Sequence, residues 1–316
     1  MTARDTDVPR RATVLPVVLG LLAVPLLLAV GEGWVFRAAN RPDGTIESGG
    51  LQREYRLHVP RSYDRSKPTP LVISMHGAGL WGAAQQEMSR WDEVADRERV
   101  IVVYPSASPA GGLRTWRVEH NAGLRRDVRF IADLIDTLSA RYNIDRERTY
   151  ADGLSNGGGM AFVLSCSLSD RIAAVGLVAS AQTLEWRWCT DQRPVPMIAF
   201  HGTDDPVVPY RGGPMWVSPT VFPSIPRWAS SWARRNGCSL TATESTVAPD
   251  VVRRAYGACA RGADVELYTV LGGGHTWPGG EPLPVSWLGR TTRGIDASAT
   301  MWAFFRAHPL VTGAGP

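Results

Sequence analysis

Short apolar runs alternate with amphipathic stretches along most of this chain. Residues 55–59 read as a short strand. Residues 70–75 and 100–104 are continuous apolar runs, stopped by His76-Gly77 and by Pro105. Between them, in 86–97, Met88, Trp91, Val94 and Ala95 recur at helical spacing. Residues 128–142 put Val128, Ile131, Leu134, Ile135, Leu138 and Tyr142 on one helical face. Residues 149–154 predict a strand leading into Ser155, with a helix over 157–168, and 172–178 and 197–200 read as two more buried strands. Ser224 as N-cap, Pro226 in the first turn and Gly237 past the end frame a helix over 224–236. Residues 265–271 alternate like a strand, and 296–307 form a last helix ended by Pro309. Continuous apolar strands separated by helices predict an α/β fold with a mostly parallel sheet covered on both faces. Residues 210–226 and 277–292 are long and rich in Pro, Gly and Trp. Long irregular loops in a compact domain are usually functional.

The first thirty residues follow a different pattern. Arg4, Arg10 and Arg11 precede an uncharged run over 12–30. A basic flank followed by an apolar run marks export, and Pro16 and Pro25 count against a buried helix. The run is either a signal peptide, with a small-x-small site at Ala29-Val30-Gly31, or a membrane anchor. The positive-inside rule leaves the body of the protein outside in either case. The expected organisation is a signal or anchor over 1–31, a Gly-rich linker over 32–50 and one domain over 51–312.

Export changes the reading of the four cysteines. An even number outside the cytoplasm favours disulfides. Three pairings are open; Cys166–Cys189 and Cys238–Cys259 are favoured because each pair brackets a local loop-bearing segment. Their spacings match no zinc pattern. The net charge of +4 comes from arginines scattered singly or in pairs. Without clustered phosphate contacts, a nucleic-acid partner is not expected.

Gly153-Leu154-Ser155-Asn156-Gly157 fits G-x-S-x-G between a strand and a helix, the context that lifts a serine hydroxyl above a sheet. A serine needs a positioned base to act as nucleophile. Six histidines are available. His58 lies in the early strand, His120 and His308 in or beside polar segments, and His76 and His201 at strand ends before Gly. His275 remains, late in the chain, after a strand and three glycines. An acid should orient the imidazole, and Asp204-Asp205-Pro206 follows a buried strand between Ser155 and His275. The residues alone leave Asp204 and Asp205 both open. One oxyanion donor is expected at the Asn156 amide and the other in His76-Gly77-Ala78-Gly79, at Ala78 with Gly77 as second choice.

These segments together (LVISMHGAG, YADGLSNGGGMA, PMIAFHGTDDPVVPY, NGC and GGGHTWPGG) resemble the polyhydroxybutyrate depolymerase and feruloyl esterase family, the type-1 carbohydrate esterases. The resemblance covers about residues 71–309. It implies an α/β-hydrolase fold and carboxylic ester hydrolysis through an acyl-enzyme, with Ser155, Asp205 and His275 as triad and the Ala78 and Asn156 amides as oxyanion hole. No cofactor or metal is implied. Ala78 stands where relatives often carry Cys, Arg126-Asp127 where they tend to carry an acidic pair, and 116–123 is unlike the usual pattern. These departures bear on the substrate rather than the chemistry. Among twelve tryptophans, Trp91, Trp228, Trp232 and Trp302 are expected in the core, and Trp116 and Trp277 at an aromatic rim that binds an ester substrate, with Trp216 and Trp287 in similar loops. Two other functions fit the same chain: an exported acyltransferase acting on cell-wall sugars, and a non-catalytic binding protein on the same scaffold.

Overall fold

The computed structural model describes residues 41–110, 113–182, 184–215, 218–282 and 285–310. The 12–30 run and Trp216 lie outside these residues. The main sheet has ten strands: Gly44–Ser48 (β1), Leu51–His58 (β2), Thr69–Met75 (β3), Ile101–Pro105 (β4), Ile144–Leu154 (β5), Val175–Val178 (β6), Met197–Gly202 (β7), Thr243–Ala248 (β8), Val251–Tyr256 (β9) and Val265–Val270 (β10). Their order is β1-β2-β4-β3-β5-β6-β7-β10-β9-β8. The six from β4 to β10 are parallel, and antiparallel hairpins close both edges. Every residue of β3, β4, β6 and β7 is buried. That is why these strands read as unbroken apolar runs: helices cover both faces.

The helices are Gly82–Ser89 (α1), Trp91–Glu98 (α2), Ala122–Arg141 (α3), Asn156–Ser167 (α4), Ile225–Arg235 (α5) and Ala297–Ala307 (α6). One face of the sheet packs against Phe130, Leu134, Phe162, Trp228 and Trp232 of α3, α4 and α5. The other packs against Trp91, Met301 and Phe305 of α2 and α6. Among the described residues, no helix is long and apolar enough to cross a membrane.

Four elements depart from the sequence reading. The single helix expected over 86–97 is two helices, because Arg90 adopts a left-handed conformation (φ 54°). The turn there lets Trp91 stack on Phe305 at 6.3 Å. The linker expected over 32–50 contains β1, whose five residues alternate over too short a span to stand out. The β8–β9 hairpin was not expected, since β8 is polar and exposed over nearly its whole length. The 210–226 stretch holds a small hairpin, Gly213–Met215 with Ser218–Phe222.

Cys166 pairs with Cys189, and Cys238 with Cys259, across 23 and 21 residues. Closing loops of this length removes chain entropy from the unfolded state, about 3 kcal/mol each. The first bridge ties the turn Trp186–Trp188 to the end of α4. The second fixes the exit of α5 to the segment before β10.

Beneath the turn at Ser155, β5 carries a fully buried carboxyl group, Asp152. Ser74 Oγ donates to Asp152 Oδ1 at 2.6 Å, and Gln85 Nε2 donates to Ser74 Oγ at 2.9 Å. Burial pushes the Asp152 carboxyl up to about 8, against the hydrogen bond from Ser74. The folded state therefore holds this proton, while the unfolded chain releases it near pH 4. Stability relative to an uncharged isostere is full below pH 4 and falls as pH rises to about 8. Asp152→Asn should thus gain on the parent protein by several kcal/mol between pH 4 and pH 8. Melting curves of both proteins across that range check this; a constant gap between them refutes it.

Candidate active site

Strands β5, β7 and β10 end at the same edge of the sheet. Leu154 aligns with Val178, Val178 with Phe200, and Phe200 with Tyr268. Ser155, Asp205 and His275 therefore follow strands that stop level with one another. Ligands and reacting groups collect at this carboxyl edge in open α/β sheets.

Ser155 sits at the turn from β5 into α4 with φ 53° and ψ −118°. A non-glycine residue in this region carries strain, which the surroundings must hold. Here they do: Ser155 N–H donates to the Val178 carbonyl at 2.8 Å, and Gly159 N–H donates to the Ser155 carbonyl at 2.9 Å. The flanking glycines are dictated by contact. A Cβ on Gly153 would lie 2.3 Å from the Gly157 carbonyl carbon, and one on Gly157 would lie 2.2 Å from the Met75 oxygen. The start of α4 is thus pressed onto the end of β3. The loop after β3 touches the serine directly, since a Cβ on Gly77 would lie 3.5 Å from Ser155 Cβ. Ala78 is exposed at the tip of this loop. The first N–H groups of α4, beginning at Asn156, have no acceptor within the helix and form its positive end.

His275 Nδ1–H donates to Asp205 Oδ2 at 2.8 Å, and both residues are buried. The other Asp205 oxygen accepts the Val207 and Val208 N–H groups, each at 2.8 Å. Burial alone would raise the Asp205 carboxyl, but the hydrogen bond and charge of His275, with His201 and the Val208 amide, hold it below the usual carboxylate range. Asp204 is exposed and, among the described residues, its side chain accepts only from Thr203 Oγ1, at 3.0 Å. The geometry thus separates two aspartates that the residues alone left equal.

The loops that carry Asp205 and His275 are laced by backbone bonds. Thr203 N–H reaches the Val270 carbonyl and Asp204 N–H the Gly273 carbonyl, both at 2.9 Å. Gly202 and Gly273 are in direct contact: a Cβ on Gly202 would lie 2.1 Å from the Gly273 oxygen. Behind His275, its own N–H donates to the Leu288 carbonyl at 2.7 Å, and Gly274 N–H to Arg290 at 2.9 Å. The Pro-, Gly- and Trp-rich stretch over 277–292 is thus the buttress of His275.

Two histidines placed by the sequence only at strand ends before Gly also belong to the site. His201 is buried beside Asp205, 3.3 Å from Oδ2, and its Nε2–H donates to the Val208 carbonyl at 2.9 Å. Burial lowers its pKa, against the pull of Asp205, so it stays neutral. His76 Nδ1–H donates to the Gly77 carbonyl at 2.7 Å, and Nε2 accepts from Ala107 N–H at 3.0 Å. Burial lowers it to about 4. Both ring nitrogens are committed, so His76 pins the loop against Ser155. The strand-His-Gly pattern shared by both was the signal in the sequence.

The rim assignments of Trp116 and Trp277 are corrected. Trp116 is 2% exposed; it stacks on Phe130, and its Nε1–H donates to the His76 carbonyl at 3.1 Å. Trp277 is 1% exposed and donates to Ser298 Oγ at 3.1 Å. Their rings face the core because both N–H groups found buried acceptors. The Asn156 side chain closes the rim instead, accepting from Thr115 Oγ1 at 3.0 Å and Trp116 N–H at 2.7 Å. Among the described residues, no group of three or more His, Cys, Asp or Glu could hold a metal ion.

Comparison with known proteins agrees with this architecture. Residues 54–186 match the family described as esterase PHB depolymerase. Feruloyl esterase B of Piromyces equi is 30% identical over 71% of this chain and 42% of its own length. A bifunctional acetylxylan esterase/xylanase of Neocallimastix patriciarum is 25% identical over 72% of this chain and 31% of its own length, so the chain spans less than half of either relative. Feruloyl esterase C of Emericella nidulans is 27% identical over 92% of this chain and 99% of its own. Among solved structures, an acetyl xylan esterase from Aspergillus awamori superposes with a TM-score of 0.58, at 15% identity, over 83% of this chain and 98% of that one. The fold is the α/β-hydrolase fold.

The Gly202–Gly273 contact leaves no room for a methyl group between the Asp205 and His275 loops. Gly202→Ala should lower the melting temperature by several degrees. Gly257→Ala, where a Cβ meets nothing within 4 Å, should change it little. Equal melting temperatures for the two variants would show that the loops part without cost.

Proposed function

We propose that this chain, which carries an esterase PHB depolymerase domain over residues 54–186 on the α/β-hydrolase fold, is an exported serine carboxylic ester hydrolase. The observation that carries this reading is the bond from His275 to Asp205 at the sheet edge where the strained Ser155 turn ends β5. Export rests on the basic flank and apolar run at the N-terminus, and two disulfides support it. The feruloyl and acetylxylan esterases among its relatives support an ester substrate of plant cell-wall type.

In this mechanism His275 Nε2 takes the proton from Ser155 Oγ, which attacks the ester carbonyl. Asp205, held ionised, fixes the imidazole with Nδ1 protonated and stabilises its charged form. The Asn156 amide and the Ala78 amide hold the oxyanion. His275 then protonates the leaving alcohol. Water enters by the same base and releases the acid from Ser155.

Fluorophosphonate probes react with an activated serine and test this directly. The exported portion should be labelled and should hydrolyse 4-nitrophenyl and feruloyl esters; Ser155→Ala should abolish both. An unlabelled, correctly folded parent protein would overturn the reading. Asp205→Asn keeps the shape but offers the imidazole the wrong partner. It should lower kcat roughly 10³- to 10⁴-fold, while circular dichroism shows an unchanged fold.

A further inference from the structure

A cleft of about 140 Å³ opens between β2, the 108–117 segment and the first turn of α3. Its floor is Arg53, only 2% exposed. That guanidinium lies 3.8 Å above the Phe130 ring and 3.0 Å from Asp127 Oδ1. Its Nε–H has no acceptor among the described residues. A buried donor left unpaired is uncommon and calls for a partner, whether water or an ion.

The walls are more basic than the floor. Arg117 lines one side, and its guanidinium is held by the carbonyl oxygens of Thr115 at 2.6 Å and Ser108 at 3.1 Å. Carbonyls fix its place without cancelling its charge. Arg126 lines the other side, exposed and without an ion-pair partner among the described residues. Asp127 is the one carboxylate in the lining, and both its oxygens are used, by Arg53 and by the Arg117 N–H at 2.9 Å. Three guanidinium groups against one carboxylate leave two positive charges. The amino end of α3 adds to them, with Gly123 in the wall. Burial is the main cause that lowers the pKa of Arg53; Asp127 opposes it, and Arg117 and Arg114 add to it by smaller amounts.

We propose that this cleft is a binding subsite for an oxyanion, a carboxylate or phosphate group held between Arg117, Arg126 and the Ser108 hydroxyl over the Arg53 charge. Planar guanidinium forks suit both groups. The cleft has room for the anion and the first atoms of whatever bears it. An acidic sugar is one source of such a group. Inorganic phosphate is the other source of the same chemistry.

Thermal-shift titration of the purified protein tests the site without any ester, so its outcome is independent of hydrolysis. Sodium glucuronate, sodium phosphate, glucose and sodium chloride are compared at matched ionic strength. Glucuronate or phosphate should give a saturable rise in melting temperature, and glucose and chloride should give none. The tighter of the two anions identifies the source. Arg126→Gln, on the surface and clear of the buried ion pair, should weaken binding at least fivefold. Arg117→Gln, which removes the second wall charge and leaves the Arg53–Asp127 pair in place, should weaken it at least threefold. No saturable rise with either anion, equal responses to glucose and glucuronate, or unchanged binding in both variants would overturn the proposal.

Discussion

A hydrogen bond of 2.8 Å joins His275 to Asp205, seventy residues apart in the chain, and the rest of the site is arranged to keep it. It exists because β7 and β10 are parallel neighbours that stop at the same level. Two glycines in contact let the loops beyond them close up, and backbone bonds lace those loops together. Asp205 is paired on both oxygens, so its burial is compensated by hydrogen bonds rather than by water. Removing any of these parts would leave a buried carboxylate short of partners, which proteins tolerate poorly.

The same economy of polar groups runs through the sheet edge. His76 and His201 are buried and neutral, and each holds a loop rather than a proton in transit. His76 ties the segment before Ala78 to the end of β4. His201 sits beside Asp205 and fixes the 205–208 turn. Such groups act on the chemistry by setting positions to within a few tenths of an ångström, which is where catalytic sites gain or lose most. Ser155 completes the pattern: its strained backbone is held by the β6 carbonyl of Val178 and by the first turn of α4. Asp152, three residues earlier, shows the cost of placing an acid in this core, since it remains protonated into the neutral range.

Much of the fold was legible because central parallel strands are buried on both faces. They appear as unbroken apolar runs, and β3, β4 and β7 stand out in the sequence for that reason. The edge strands β1 and β8, and β9 beside β8, were not legible: they are short or polar, and pairing with a neighbour rather than burial defines them. The break at Arg90 was equally hidden. No glycine or proline marks it, and it follows from where Trp91 must pack.

For the site, the sequence by itself determined which residue types stand at strand ends: the serine turn, the paired aspartates and the histidine after three glycines. It could do so because the tight turns admit only glycine beside them, and that requirement is local. Apart from the family resemblance, it could not choose Asp205 over Asp204, and it could not see that Trp116 and Trp277 turn inward or find the Arg53 cleft. Those outcomes depend on which acceptor lies within hydrogen-bond reach once the sheet is assembled. Hydrogen-bond partners distant in the chain are set by tertiary packing alone, and only the folded structure decided them.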